Sequence, residues 1–378
     1  MTKTDAQNNL LIIASSEADA NQYYATRFLA PDPFVFLQIR GKKYAMLSDL
    51  EIDRAKKESL IDRPLSTTRL IHQYEARHGN KPGRLDLIAA FVKQHRIRAL
   101  TVPGNFPIEY ADILRRRGIR IVPQPEPLFA ERPVKSKEEI AAITQALRNV
   151  ERAAHAAMDV LRKTVIKKGK LFYRGQLLKS ECLKKLIRMN LLERDCLSPH
   201  LIASCGKDTV DPHQEGKGPL YAHQPIILDI FPQHAQTRYF ADFTRTVVRG
   251  KASLKLKKMY RAVKGAQELA FASIRDGADG NAVYRSVQNY FIRHGFSTGV
   301  INGRRQGFFH GLGHGLGLEI HETPGMSLRP EKLRAGNVIT VEPGLYYEDA
   351  GGVRLEDVGV VTKTGCKNLT RFPKVLEI

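Results

Sequence analysis

The sequence predicts an α+β protein of two domains. The first alternates strands and helices; the second, larger one repeats a plan of helices followed by paired strands, with pseudo-two-fold symmetry and a cleft between its halves. Three observations lead there. A length of 378 residues exceeds the roughly 100–200 of a single domain. Pro123, Pro125, Pro127 and Pro133 form a break, followed by Ser136-Lys-Glu-Glu139, a capping box that opens a helix. This places the boundary at about residue 133, dividing 1–132 from 133–378. Beyond it, a long helical pattern leads to two apolar strands, and the same succession then recurs.

In the first region Leu10–Ala14 is short and apolar. Phe34–Ile39 and Tyr44–Leu47 flank Gly41-Lys-Lys43 as a hairpin would. Leu85–His95 carries Leu87, Ile88, Phe91 and Val92 at helical spacing and precedes the strand-like Ala99–Val102. Ile108–Arg117 reads as a helix that stops at Gly118, before a strand over Ile119–Val122. No catalytic constellation stands in this region.

In the second region the capped helix runs over about 137–162, with Ile140, Ile143, Leu147, Val150 and Ala154 on one face. It leads to strands around Leu228 and Thr244. Helices over about 254–275 and 281–293 then precede strands around Val341 and Leu355.

Hydrophobic residues at 42% and charged ones at 26% exclude disorder, collagen and coiled coil as descriptions of the whole chain. The net charge of +21 raises the question of an anionic partner. The excess is spread thinly. Its densest stretch, Lys163–Arg194, sets ten Lys or Arg against Glu181 and Glu193, without aromatic interleaving or zinc-finger spacing. A generally basic surface with no dedicated nucleic-acid binding is the expectation. Cys182, Cys196, Cys205 and Cys366 form no CxxC pair, which suits reduced thiols, mostly in the core, of a cytoplasmic protein. The apolar run Leu10–Ser15 is too short for a signal peptide, and no stretch reaches the ~20 apolar residues of a membrane span.

The informative feature is acid inside apolar, strand-like sequence: Asp229 in Pro225–Phe231, Asp242 in Tyr239–Val248, Glu342 in Val338–Gly344 and Glu356 in Gly352–Val358. A buried carboxylate persists only when paired or metal-bound. Asp229 and Asp242 are thirteen positions apart, Glu342 and Glu356 fourteen, and each interval contains turn-forming residues. Two strand pairs would therefore each bring two carboxylates together. Pairing with Arg245 or Arg354 is the plain alternative for any one acid. For four together, two divalent cations balance the charge.

Three histidines, His310, His314 and His321, fall within twelve residues. His310 and His314 have the spacing of the helical HExxH motif, but Gly311, Gly313, Gly315 and Gly317 oppose a helix, and no glutamate follows His310. An extended, glycine-lined segment that brings the backbone close to something is the better description. His213 stands in the loop before the first acidic strand. Nucleotide-binding glycine motifs are absent.

Asp229, Asp242, His314, Glu342 and Glu356, in that order, resemble the five metal ligands of the pita-bread metallopeptidases, in the branch of Xaa-Pro aminopeptidase and prolidase. The matching motifs are Asp242-Phe-Thr-Arg-Thr246, His310-Gly-Leu-Gly-His314, Val341-Glu-Pro-Gly-Leu-Tyr346 and Gly352-Val-Arg-Leu-Glu-Asp357. The resemblance covers the whole chain, and the N-terminal α/β domain is similar to that of creatinase. One departure is visible: the two aspartates are usually eleven apart in that family.

The resemblance implies a C-terminal pita-bread domain and hydrolysis of the Xaa-Pro peptide bond in short proline-containing peptides. It implies two divalent ions, Mn²⁺ foremost, with Co²⁺ or Zn²⁺ as alternatives; a hard, oxygen-rich donor set agrees. Asp242 and Glu356 would bridge the ions, Asp229 chelate one, and His314 with Glu342 hold the other. A hydroxide between them would attack the carbonyl, with Glu342 shuttling its proton. His321 and His310 would hold the carbonyl oxygen and the substrate near the leaving nitrogen, and His213 would line the pocket. Arg354 would bind a substrate carboxylate or orient a ligand carboxylate. A homodimer is also implied. Two other readings remain: a non-catalytic pita-bread binding protein, and a metal-free creatinase-like hydrolase, which would not need this carboxylate set.

Overall fold

The structure, a computed structural model, describes residues 9–378 in two compact units, divided between Arg132 and Pro133. The first is built on a six-stranded mixed sheet. Its strands run in the order Arg63–Ser66, Lys42–Leu47, Phe34–Ile39, Asn9–Ala14, Ala99–Pro103, Arg120–Gln124. Alternation along the central strands feeds two cores. Leu11, Val35 and Leu37 pack with Ile88, Val92 and Leu114 on one face. Leu10, Ile12, Phe34 and Phe36 pack with Ala25, Phe28 and Ala55 on the other. A sheet covered on both faces accounts for the near-continuous apolar runs.

The hairpin differs in detail from the sequence expectation. Ile39 pairs directly with Lys42, so only Arg40 and Gly41 form the turn, both at positive φ (49° and 81°). Lys42 and Lys43 belong to the strand. Three further helices are Ala20–Thr26, Ile52–Glu58 and Thr67–His78; the first two have only seven residues each. The last buries none of its residues fully.

In the second unit, helix Lys137–Arg162 begins at Ser136. The Ser136 hydroxyl accepts the Glu139 amide, and the Glu139 carboxylate accepts the Ser136 amide. Helix Ser180–Leu192, inside the basic stretch, packs against it. A three-stranded antiparallel sheet follows in the order Ile202–Cys205, Pro225–Asp229, Thr244–Val248. Helices Leu254–Ser273 and Gly280–Arg293 then lead to a five-stranded sheet, in the order Glu322–Met326, Gly313–Gly315, Val338–Val341, Asp357–Val361, Cys366–Asn368. A hairpin of Gly344–Tyr347 with Gly351–Arg354 completes the unit. A bridge between Thr244 and Glu356 joins the two halves. No helix among the described residues is long and apolar enough to cross a membrane. All four thiols are free; Cys196 is buried, but Cys182 is exposed, so the expectation of mostly core thiols holds only in part.

Arg245 ties the halves together from inside. It is 2% exposed, lies 2.8 Å from Asp357, and donates to the carbonyls of Thr244, Glu356 and Phe372. Lys374 shares Asp357 at 2.6 Å. Removing Arg245 would leave Asp357 to Lys374 and deprive three buried carbonyls of their donor, and losing one partner of a buried pair costs about 3–5 kcal/mol. We expect Arg245→Leu to lose stability of that order in urea unfolding followed by far-UV circular dichroism. A loss below about 1 kcal/mol would show that the pair contributes no more than a surface ion pair does.

Candidate metal centre

The four strand acids converge where the two halves meet. Only Asp229 lies within a strand, as its last residue, opposite Thr244. Asp242 sits two positions before the partner strand. Glu342 directly follows Val338–Val341, and Glu356 directly precedes Asp357–Val361; those strands pair through Val341 and Asp357. The sequence therefore placed the acids in the right strand pairs but too deep within the strands. Strand ends are where a carboxylate can leave the ladder and face the cleft. The long Asp229–Asp242 interval contains a small excursion: Gln233–His234 pairs with Cys196–Leu197 before the chain returns.

His314 enters from the glycine-rich segment, which is extended as expected. A Cβ on Gly313 would lie 2.0 Å from the Thr340 carbonyl oxygen, so only glycine lets this strand run against Val338–Val341. The His314 amide donates to Thr340 Oγ1, and its ring Nδ1–H donates to the Gly315 carbonyl at 3.1 Å. That tautomer leaves an Nε2 lone pair, which points at Asp242 Oδ2 (3.6 Å) and Glu342 Oε1 (3.5 Å). Burial, then the neighbouring His321, push His314 down to about 4, so the ring is neutral at pH 7. A neutral nitrogen facing two carboxylates beyond hydrogen-bond distance is an arrangement that a cation completes.

The carboxylates agree. Asp229 is 9%, Asp242 5% and Glu356 2% exposed. One oxygen of each has a protein donor: Arg354 Nη2 to Asp229 Oδ2 at 2.6 Å, the Phe243 amide to Asp242 Oδ1 at 2.9 Å, and Thr244 Oγ1 to Glu356 Oε2 at 2.8 Å. Asp229 Oδ1 and Glu356 Oε1 are buried without a hydrogen-bond partner. Ligand atoms of Asp242, His314 and Glu356 all lie within 4.8 Å of one another. Burial, then repulsion from Glu356, raises both Asp242 and Glu342 well above the carboxylate range. Burial, then Asp229, pushes Glu356 up to about 7. Four acids and an imidazole with stranded oxygens fit hard divalent cations.

Of the other sequence candidates, Arg354 is 3% exposed and spends its guanidinium on Asp229, on Tyr346 Oη (2.9 Å), and on Thr244 Oγ1 and the Pro212 carbonyl (each 3.4 Å). His310 is engaged at both ring nitrogens, by the Gly311 carbonyl (2.7 Å) and Tyr346 Oη (3.0 Å). Both nitrogens are thus engaged within the protein. Burial, then Arg354, pushes His310 down to about 3. His321 is exposed and packs edge-on against the His314 ring, centroids 4.4 Å apart. His213 is exposed at the head of its loop, close enough for its charge to bear on both His310 and His321.

Two participants were missed. Tyr346 lies in a matched motif, yet its hydroxyl joins Arg354 to His310, and burial pushes it up to about 12. A tyrosine inside an otherwise buried strand was the available signal, since its hydroxyl needs a partner. Thr244 had no such signal; its contact with Glu356 crosses 112 positions of sequence.

The sequence profile of metallopeptidase family M24 matches residues 141–363, the stretch that contains all five candidate ligands. The chain belongs to this family. Among its relatives, the Xaa-Pro dipeptidase of Pyrococcus horikoshii is 30% identical over 349 residues, 90% of this chain and 88% of that one. The uncharacterized peptidase YqhT of Bacillus subtilis is 33% identical over 268 residues, 68% of each chain. Among solved structures, the prolidase of Pyrococcus horikoshii OT3 superposes with a TM-score of 0.77 at 26% identity, covering 98% of this chain and 95% of that one. The X-Pro aminopeptidase of Thermotoga maritima MSB8 gives 0.80 at 21%, covering 98% and 97%. The fold is thus the pita-bread fold behind a creatinase-like α/β domain, and the M24 chain is a metallopeptidase that uses divalent metal.

Metal affinity should depend on pH. Glu356, raised from 4.5 to about 7, must lose its proton to bind a cation. Affinity for Mn²⁺, measured by calorimetry between pH 5.5 and 8, should rise with pH and level off above about 7, with proton release on binding. In the metal-free protein the same shift makes the folded state lose stability as pH climbs from 4.5 to about 7. A pH-independent affinity would contradict the assignment of Glu356 as a ligand.

Proposed function

We propose that this M24 peptidase hydrolyses the Xaa-Pro bond of short proline-containing peptides, with two divalent ions, Mn²⁺ foremost, held by Asp229, Asp242, His314, Glu342 and Glu356. The observation that carries the reading is the pair of buried, unpartnered oxygens on Asp229 and Glu356, beside the bare Nε2 of a neutral His314. A non-catalytic binding protein has no need of such uncompensated charge, and a metal-free hydrolase would be destabilised by it. The near-full-length likeness to an Xaa-Pro dipeptidase supports the substrate class.

In this reading Asp229, Asp242, His314, Glu342 and Glu356 would together hold the ions, with the three whose ligand atoms lie within 4.8 Å of one another, Asp242, His314 and Glu356, at the centre. When bound, the ions polarise the scissile carbonyl and lower the pKa of water. The protein supplies the rest. Glu342, whose proton affinity is raised by burial, takes a proton from the attacking water and returns it to the leaving nitrogen. His321, exposed beside His314, donates to the carbonyl oxygen as negative charge develops there. His213 lines the approach. Arg354 holds Asp229 in place rather than binding a substrate carboxylate, since its contacts are spent inside the protein. Tyr346 extends that support to His310, which forms a wall of the site. Residues 1–132 act as the creatinase-like domain and 133–378 as the catalytic one, in a cytoplasmic homodimer with no dedicated nucleic-acid binding.

The test is release of the N-terminal residue from Xaa-Pro dipeptides and from longer Xaa-Pro peptides by Mn²⁺-loaded protein; inertness toward both overturns the proposal. Glu356→Ala should abolish turnover. His321→Ala should keep its metal while kcat falls about 10²–10³-fold, the usual cost of one oxyanion donor. Metal loss in His321→Ala would make that histidine a ligand instead.

A further inference from the structure

The glycine-lined segment encloses a second buried charge. Glu322, directly after His321, pairs with Lys135: Nζ and Oε2 are 2.6 Å apart, with side-chain exposures of 1% and 5%. The other carboxylate oxygen of Glu322 accepts the Glu319 amide, and the Gly317 amide donates to the Glu319 carbonyl. A Cβ on Gly317 would stand 2.6 and 2.7 Å from the two Glu322 oxygens, so that glycine makes room for the carboxylate inside the turn. Glu322 also pairs in the sheet with Gly315, next to the ligand His314. His321, by contrast, is exposed. Its ring meets the His314 ring edge-on, with centroids 4.4 Å apart, and its backbone belongs to this turn.

Lys135 is fixed from its own side. Its amide donates to the Gly336 carbonyl, and Asn337 Nδ2 donates to the Pro133 carbonyl at 2.8 Å. Asn337 leads into the strand Val338–Val341 and so to Glu342. Segment 133–135 thus braces together the turn carrying His321 and the strand that leads to Glu342. Two charges this deep are held at a desolvation cost that sequence-remote packing alone does not require. Gly317 further shows that the backbone was shaped around the pair.

We propose that Lys135 and Glu322 form a positioning pair: the ion pair clamps the 317–322 turn and so holds the His321 imidazole at the reacting carbonyl. This rests on the reading of His321 given above. The experiment compares wild type, Lys135→Met, His321→Ala and the double variant, with metal content, KM and kcat measured on each preparation. Side-chain resonances of His321, identified by their loss in His321→Ala, are followed by NMR. Lys135→Met should keep its metal and KM, lose at least tenfold in kcat, and shift the His321 resonances. In the His321→Ala background it should lose nothing further, because the group it positions is gone. An unchanged kcat, or a loss that persists undiminished in that background, overturns the proposal. Should Lys135→Met fail to fold, the charge-free pair Lys135→Met/Glu322→Gln, which keeps the acceptor for Glu319, takes its place. If wild type hydrolyses no Xaa-Pro peptide, the functional reading fails, while unmoved His321 resonances in the variant would separately sink the clamp.

Discussion

Burying carboxylates beside one another sets the terms for the rest of this molecule. Asp229, Asp242, Glu342 and Glu356 repel one another in a buried cluster, and among the described residues the Arg354 guanidinium is set against them. Such a cluster is stable only if cations enter or protons are taken up. The rise of Glu356 to about 7 expresses the second outcome, and the stranded oxygens of Asp229 and Glu356 express the first. Everything nearby serves to keep these groups from relaxing apart.

Two buried arginines divide that work. Arg354 reaches from its hairpin to Asp229, so the acid keeps one oxygen fixed and the other presented. Arg245 contacts none of the candidate ligand side chains. It gathers the carbonyls of Thr244 and Glu356 and the Asp357 carboxylate, holding the two sheets in register at the bridge where the halves meet. The plain alternative, that each strand acid pairs with a basic side chain such as Arg245 or Arg354, is met by Asp229 through Arg354 and by none of the other three acids. The histidines follow the same economy of contacts. His314 and His310 each use Nδ1 on a backbone carbonyl, which settles the tautomer, and differ in what Nε2 meets: carboxylates for one, the Tyr346 hydroxyl for the other.

Much of this was legible in one sequence because the signals were violations of simple rules. An acid in an apolar strand, or four alternate glycines around two histidines, has no ordinary explanation, so Asp229, Asp242, Glu342, Glu356 and His314 could be singled out before any coordinates. The capping box at Ser136 and the helix 137–162 were legible for the opposite reason, as rules obeyed over many residues. What failed to show had weak local signals: the short helix Ile52–Glu58, the polar helix Thr67–His78, and the strand Arg63–Ser66. Elements that short are stabilised by what they pack against, not by their own pattern.

The sequence by itself determined the order of the candidate ligands, the pairing of acids by strand, the break before Ser136 and the extended state of the glycine segment, because each is encoded by residues close together in the chain. Tertiary structure alone decided that Arg354 faces Asp229, that Tyr346 reaches His310, that Thr244 caps Glu356 and that Lys135 finds Glu322. These partners lie 125, 36, 112 and 187 positions apart. A side chain's local sequence states that it needs a partner once buried; only the packing of the whole chain decides which atom meets it.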